Sequence, residues 1–298
     1  MTEVIFMFPV LLFFTINAYG QIKPNLSLQD LQGDLNKKYS FQFSSLVVKG
    51  DSLILAAEKC EMIYILNKWT LEIISKKPLP DKKLKSIEGM TLYKNRYLLM
   101  LDEGSVAIYM FDLFEKDTLI KIADSTVLCN NNDLLEGIAI NETKSLCYIL
   151  HEIKGEMYIY YILDNMILQI KDTIKIPNNY NWTRYTDLCY NNDTLYVLKT
   201  NFKKDLPVAS LRYAVDIMKT NQAGLPQIED NIYVDLDSCK KFKSPKGIFS
   251  TNMEGLSIDN NTFYIVSDNE WGQKDNCDKI DNKIELTLLV KFIKNWQK

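Results

Sequence analysis

An all-β propeller built from four-stranded antiparallel blades is the fold this 298-residue sequence predicts. Three observations point to it. A short pattern recurs: an acidic residue, a glycine, an apolar run, a polar turn, a second apolar run and a closing polar residue. Its starting positions fall at Ser44, Glu88, Glu136, Asp187 and Glu254, with gaps of 44, 48, 51 and 67 residues. Between them lie apolar runs split by polar turns. All-β repetition at roughly 40–50 residues is the sequence signature of propeller blades. A β-sandwich with accidental internal similarity is the rival, and it does not account for the acid-Gly start and the closing residue recurring together.

Taken in order, residues 21–38 are polar and weakly patterned, and fit an outer strand added to the last blade. Ser44-Ser45-Leu46-Val47-Val48 is the weakest copy and closes at Glu58. Ile87-Glu88-Gly89-Met90 opens the best one, which closes at Asp102. Its runs Met90–Leu92, Tyr97–Leu101, Val106–Phe111 and Thr118–Ile122 read as four strands. The runs are nearly continuous in apolar residues, as expected of sheets buried on both faces. Leu135-Glu136-Gly137-Ile138 opens a third copy, ending at His151. Tyr185-Thr186-Asp187-Leu188 reads as a degenerate fourth, with Asp for Glu and Leu for Gly, ending at Asn201. An insertion between Phe202 and Ile232 accounts for the 67-residue gap, within which Val208–Lys219 is a strand or a short helix. Asn252-Met253-Glu254-Gly255-Leu256 opens the fifth, which closes at Asp268. After it only Leu286–Ile293 reads as a strong strand, so the last blade needs the N-terminal segment to complete it and cover its edge. Five blades follow, with a sixth drawn from the terminal segments as the alternative.

Composition sets limits. Hydrophobic residues make up 47% and the net charge is −3, so the chain has core to spare and no basic stripe to release counterions from nucleic acid. Residues 1–20 read as a signal peptide: Val4–Phe14 is apolar but short for a bilayer, and Ala18-Tyr19-Gly20 supplies the small-x-small cleavage pattern. The leader carries Glu3 and no Lys or Arg, which leaves an uncleaved anchor as the alternative. The remainder, 21–298, reads as one domain with no transmembrane segment, secreted or held in the periplasm or cell envelope, and monomeric. Of six cysteines, Cys147 and Cys189 sit in strands as buried small hydrophobes, while Cys239 and Cys277 are the best candidates for a disulfide.

The innermost strand of each blade lines the channel, and the next strand returns beside it. The opening residue of each copy and the residue 14 or 15 later are then expected to meet at one mouth: Ser44 with Glu58, Glu88 with Asp102, Glu136 with His151, Asp187 with Asn201, Glu254 with Asp268. Facing carboxylates repel unless neutralised. A hard cation answers this, and Ca²⁺ suits a ring of carboxylates and amides better than Zn²⁺. Glu88, Glu136, Asp187 and Glu254 are the expected ligands, with Glu58, Asp102, Asn201 and Asp268 as second candidates. The bland alternative is that these acids start strands at blade corners and face solvent.

The Glu136-Gly137-Ile138-Ala139 and Glu254-Gly255-Leu256 segments, with Tyr148-Ile149-Leu150 and Val266-Ser267-Asp268-Asn269 after them, resemble the phytase-like esterase propellers. They are also similar to the SdiA-regulated propellers of bacterial envelopes. The resemblance covers residues 40–295 as a pattern and is sharp at the Glu-Gly blades. It implies an exported propeller with acidic, calcium-binding residues at its centre. By the match Glu88, Glu136 and Glu254 carry over; Ser44 departs from the pattern.

Two further residues bear on chemistry. His151 is the sole histidine and would sit at the mouth as a general base. Arg184, one of three arginines, would grip an anion there, or pair with Asp187 for structure. With no nucleophile elbow visible, hydrolysis would be metal-assisted and directed at a phosphoester or ester. A non-catalytic propeller with a structural cation, binding a small anionic ligand or another envelope protein, is the alternative function.

Overall fold

The computed structural model describes residues 21–22, 27–30, 43–57, 62–70, 72–80, 84, 86–115, 119–128, 134–176, 183–201, 213–234, 252–268 and 288–293. The expected signal peptide, Glu58, Cys239 and Cys277 lie outside these residues, as does the insertion before residue 213. Two short strands come first, β1 (Gln21–Ile22) and β2 (Ser27–Asp30).

Five sheets follow. The first holds β3 (Phe43–Lys49), β4 (Ser52–Ala57), β5 (Met62–Asn67) and β6 (Ile73–Pro78), in that spatial order. The second holds β7 (Ile87–Tyr93), β8 (Tyr97–Asp102), β9 (Ala107–Asp112) and β10 (Leu119–Ala123), and the third β11 (Leu135–Asn141), β12 (Leu146–His151), β13 (Glu156–Ile162) and β14 (Leu168–Lys175). The fourth comprises β15 (Thr183–Asn191), β16 (Thr194–Asn201), β17 (Tyr213–Thr220) and β18 (Pro226–Val234); β1 joins its outer edge in parallel. The segment that reads as either strand or helix is thus a strand over its described part. The fifth sheet has β19 (Asn252–Asp259), β20 (Thr262–Asp268) and β21 (Leu288–Ile293), completed by β2 running antiparallel to β21. The N-terminal segment therefore does supply the outer strand of the last blade. Gln21 and Ile22, ahead of it, go to the neighbouring blade, which the sequence did not signal.

The innermost strands touch in a closed circuit, β3 to β7, β7 to β11, β11 to β15, β15 to β19 and β19 back to β3. This is a five-bladed propeller. Its stability lies between blades, and the apolar runs explain why. Side chains alternate across a strand, so Leu98 and Met100 face the first blade while Leu99 and Leu101 face the third. Five buried clusters result, one per interface between neighbouring blades. Each fully buried Leu or Ile in them contributes roughly 1.5–3 kcal/mol. Cys147 and Cys189 are free thiols, Cys147 packed in the cluster between the second and third blades and Cys189 against that between the fourth and fifth.

Candidate functional site

At the channel end of every innermost strand the pairing slips by one residue. The residue the register skips is Ser44 in β3, Glu88 in β7, Glu136 in β11, Thr186 in β15 and Glu254 in β19. A bulge of this kind frees one residue from the ladder and re-aims its side chain. The residue after it packs on the next blade. A Cβ on Gly89 would lie 2.6 Å from the Glu136 carbonyl oxygen, and one on Gly137 2.7 Å from the Leu188 nitrogen, so only glycine fits there. The Glu-Gly motif is thus one bulge that does two things at once. It turns the acid out of the sheet, and its glycine lets the next blade approach.

Three of the five bulged residues are acids, and they converge. Glu88, Glu136 and Glu254 each bring a carboxylate oxygen within 4.8 Å of the other two. All three are largely buried, Glu136 at 4% exposure. Burial raises the Glu136 carboxyl well above its ordinary value of 4.5, and the nearby charges of Glu88 and Glu254 push it the same way. Arg184 acts in the opposite sense and more weakly. Glu88 accepts a hydrogen bond from the Ser86 hydroxyl at 2.7 Å. Three carboxylates so placed offer oxygen donors suited to a hard divalent cation.

The fourth blade departs from the sequence reading by one position. Its bulge falls on Thr186, so Asp187 occupies the place of the motif glycine, not of the motif acid. Its side chain leaves the centre and enters the gap to the fifth blade. There it accepts hydrogen bonds from the Leu256 and Leu188 amides, each at 2.7 Å. Burial raises its carboxyl well above the ordinary range, partly offset by those two amides. The Thr186 hydroxyl donates to the Met253 carbonyl at 2.6 Å. Ser44 does the same one blade before Glu88, donating to the Ile87 carbonyl.

The second strands contribute less than expected, because the bulge changes which residue faces which. Asp102 pairs with Ile87, and His151 with Leu135. In the fourth and fifth blades the corresponding residues are Lys199 and Ser267, in place of Asn201 and Asp268, and in the first blade Ala57 pairs with Phe43. Asp102 is engaged locally. It caps the 3-10 turn Glu103–Ser105, accepting from the Ser105 amide at 3.1 Å and from the Ser86 amide at 2.7 Å. His151 is 1% exposed, and neither ring nitrogen has a hydrogen-bond partner among the described residues. Burial lowers its pKa below the ordinary 6.5, helped by the Lys154 charge and opposed by that of Glu156. Arg184 pairs with Glu152 of the third blade, not with Asp187. Lys199 pairs with Asp216 at 2.5 Å, both almost buried. A separate cleft of about 450 Å³ between the second and third blades, lined in part by Tyr93, Tyr97, Glu142 and Met166, shares no residue with the glutamates. Among the described residues no helix is long and apolar enough to cross a membrane.

Sequence reasoning missed Thr186 and the structural use of Asp187. The signal was faint, since the two are adjacent and only pairing with β16 tells which of them bulges.

No protein-family model matches the sequence, and no curated protein matches it. Solved structures do. The RRP9 WD40 repeats are 9% identical with a TM-score of 0.47, over 90% of this chain and 97% of that one. BamB from Moraxella catarrhalis is 12% identical with a TM-score of 0.35, over 83% of this chain and 56% of that one. Hydrazine synthase from Kuenenia stuttgartiensis is 10% identical with a TM-score of 0.44, over 80% of this chain and 59% of that one. The chain spans less than two thirds of the last two proteins. Likenesses of this degree carry no argument about activity, and the fold rests on the closed circuit of blades.

Proposed function

We propose that this chain is an exported propeller that binds a divalent cation, Ca²⁺ by its oxygen ligands, on Glu88, Glu136 and Glu254, and uses it to hold an anionic ligand. One observation carries the reading: three carboxylates from three separate blades within 4.8 Å of one another in a largely buried setting. Mutual repulsion at that distance calls for a proton or a cation. Ca²⁺ takes 6–8 oxygen ligands, so three carboxylates leave places for water or for a ligand's phosphate or carboxylate oxygens. Export and kinship with the phytase-like esterase or SdiA-regulated propellers belong to the same proposal, and the Glu-Gly blades support them.

Non-catalytic binding is favoured over hydrolysis by the surroundings. His151 is buried away from any substrate, and Arg184 and Lys199 are engaged in ion pairs with Glu152 and Asp216. The coordination argument keeps hydrolysis as the second reading, since a bound Ca²⁺ with open positions would polarise an ester or phosphoryl oxygen. Calorimetric titration with Ca²⁺ after chelator treatment tests the first reading. The parent should bind, and a Glu136→Gln/Glu254→Gln double variant should bind at least tenfold more weakly; equal binding would end the proposal. Turnover of chromogenic esters or phosphoesters that chelator abolishes would move the conclusion to a hydrolase.

A further inference from the structure

We infer that Thr186 and Asp187 form a bracket that positions Glu254 for the central site. The inference rests on the cation-binding reading above. A bulge takes a residue out of the regular register, so the direction of its side chain depends on how the backbone on either side is held. For Glu254 both sides are held by one dipeptide of the preceding blade. The Thr186 hydroxyl donates to the carbonyl of Met253, just before it, at 2.6 Å. The Asp187 carboxylate accepts from the amide of Leu256, two residues after it, at 2.7 Å. Thr186 and Asp187 are themselves fully buried.

The arrangement is particular to this blade. At Gly89 and Gly137 the following blade presses so close that no side chain fits. At the same place in the fourth blade stands an Asp, which fills the gap to the fifth blade with a hydrogen-bonding group. Burying a carboxylate there is costly, and a glycine or a small apolar residue would close the gap without that cost. What the acid adds is a fixed acceptor for the Leu256 amide, next to the Glu254 bulge. Ser44 uses the same hydroxyl-to-carbonyl contact ahead of Glu88. The two ring positions without a carboxylate therefore each steer a carboxylate in the blade that follows. Thr186 and Asp187 are positioning residues, not ligands.

The test uses Thr186→Val, which keeps the shape and removes the donor, Thr186→Ser, which keeps the donor, and Asp187→Asn as an independent probe. Ca²⁺ affinity is measured by calorimetry, melting temperature in chelator, and hydrogen exchange of the Leu256 amide against the Ile138 amide of the third blade. Thr186→Val and Asp187→Asn should weaken Ca²⁺ binding about tenfold or more, the usual effect of losing a residue that orients a ligand. They should also speed exchange at Leu256 and leave Ile138 unchanged. Thr186→Ser should restore both. The bracket is overturned if Thr186→Val binds Ca²⁺ like the parent, or if Ser fails as badly as Val. If the parent itself takes up no Ca²⁺, the cation reading falls, and exchange decides the bracket alone: selective loss of protection at Leu256 upholds it, and unchanged protection overturns it.

Discussion

Replacing Glu136 by Gln should make the protein melt above the parent in chelator and below it in Ca²⁺. Three carboxylates with oxygens within 4.8 Å of one another make three repulsive pairs. At an effective dielectric constant of about 20 each pair costs ~3.5 kcal/mol, or ~10 kcal/mol together. That is as large as the whole stability of an ordinary domain, roughly 5–15 kcal/mol. Without a cation the three are therefore not all ionised at neutral pH, in keeping with the raised pKa of Glu136. Gln at 136 removes two of the three pairs. Protonation has already relieved most of the repulsion in the parent, so the net gain in chelator is about 1–2 kcal/mol, or ~2–6 °C in Tm. With Ca²⁺ at a hundred times its dissociation constant the parent gains ~2.7 kcal/mol by mass action, and the variant little. Differential scanning calorimetry in chelator and in Ca²⁺ reads both arms. A variant that melts below the parent in chelator and still gains from Ca²⁺ as the parent does would refute the electrostatic reasoning.

Proton linkage gives a second expectation. Folded Glu136 and Asp187 hold their protons more tightly than ordinary carboxyls. Their contribution to metal-free stability is full below the ordinary range and is lost as pH rises toward the raised values, while Ca²⁺ affinity should rise over the same window; urea midpoints and calorimetry at several pH values check both. His151 works in the opposite direction: its depressed pKa removes stability as pH falls below 6.5, and its ring-proton NMR signal should stay at the neutral position down to that pH. Gly137→Ala would set a Cβ 2.7 Å from the next blade's backbone, and should cost roughly 1–3 kcal/mol or more in urea unfolding. Deleting residues 21–30 removes β2 and leaves the edge of β21 unpaired, so the truncated chain should self-associate in sedimentation while the full chain does not.

Much of this fold is legible in the chain because it repeats. The second copy shows three of its strands to within a residue and the middle of the innermost one, which begins three residues earlier than its apolar run; a sheet packed between two others needs apolar side chains on both faces and polar turns at its ends. The need for an N-terminal strand in the last blade is legible too, because residues after Asp268 cannot complete four strands alone. Glu88, Glu136 and Glu254 stand out for a similar reason. An acid followed by glycine is rare in a strand interior, and here it marks a bulge beside a close backbone approach.

The fourth copy shows where reading by pattern stops. Its only acid at the expected place, Asp187, serves the interface between blades, and the bulge belongs to Thr186. A one-residue slip in pairing moves a side chain from one face to another, and nothing in the Thr-Asp dipeptide says where the slip falls. The same holds for Asp102, drawn off to cap a turn, and for Arg184, whose partner Glu152 lies on another blade. The repeat in the sequence determined the propeller, its blade order and three central glutamates, because periodic burial and a glycine-requiring contact leave local marks. The tertiary structure alone decided which polar groups share the centre, because that depends on bulge register and on neighbours far away in the chain.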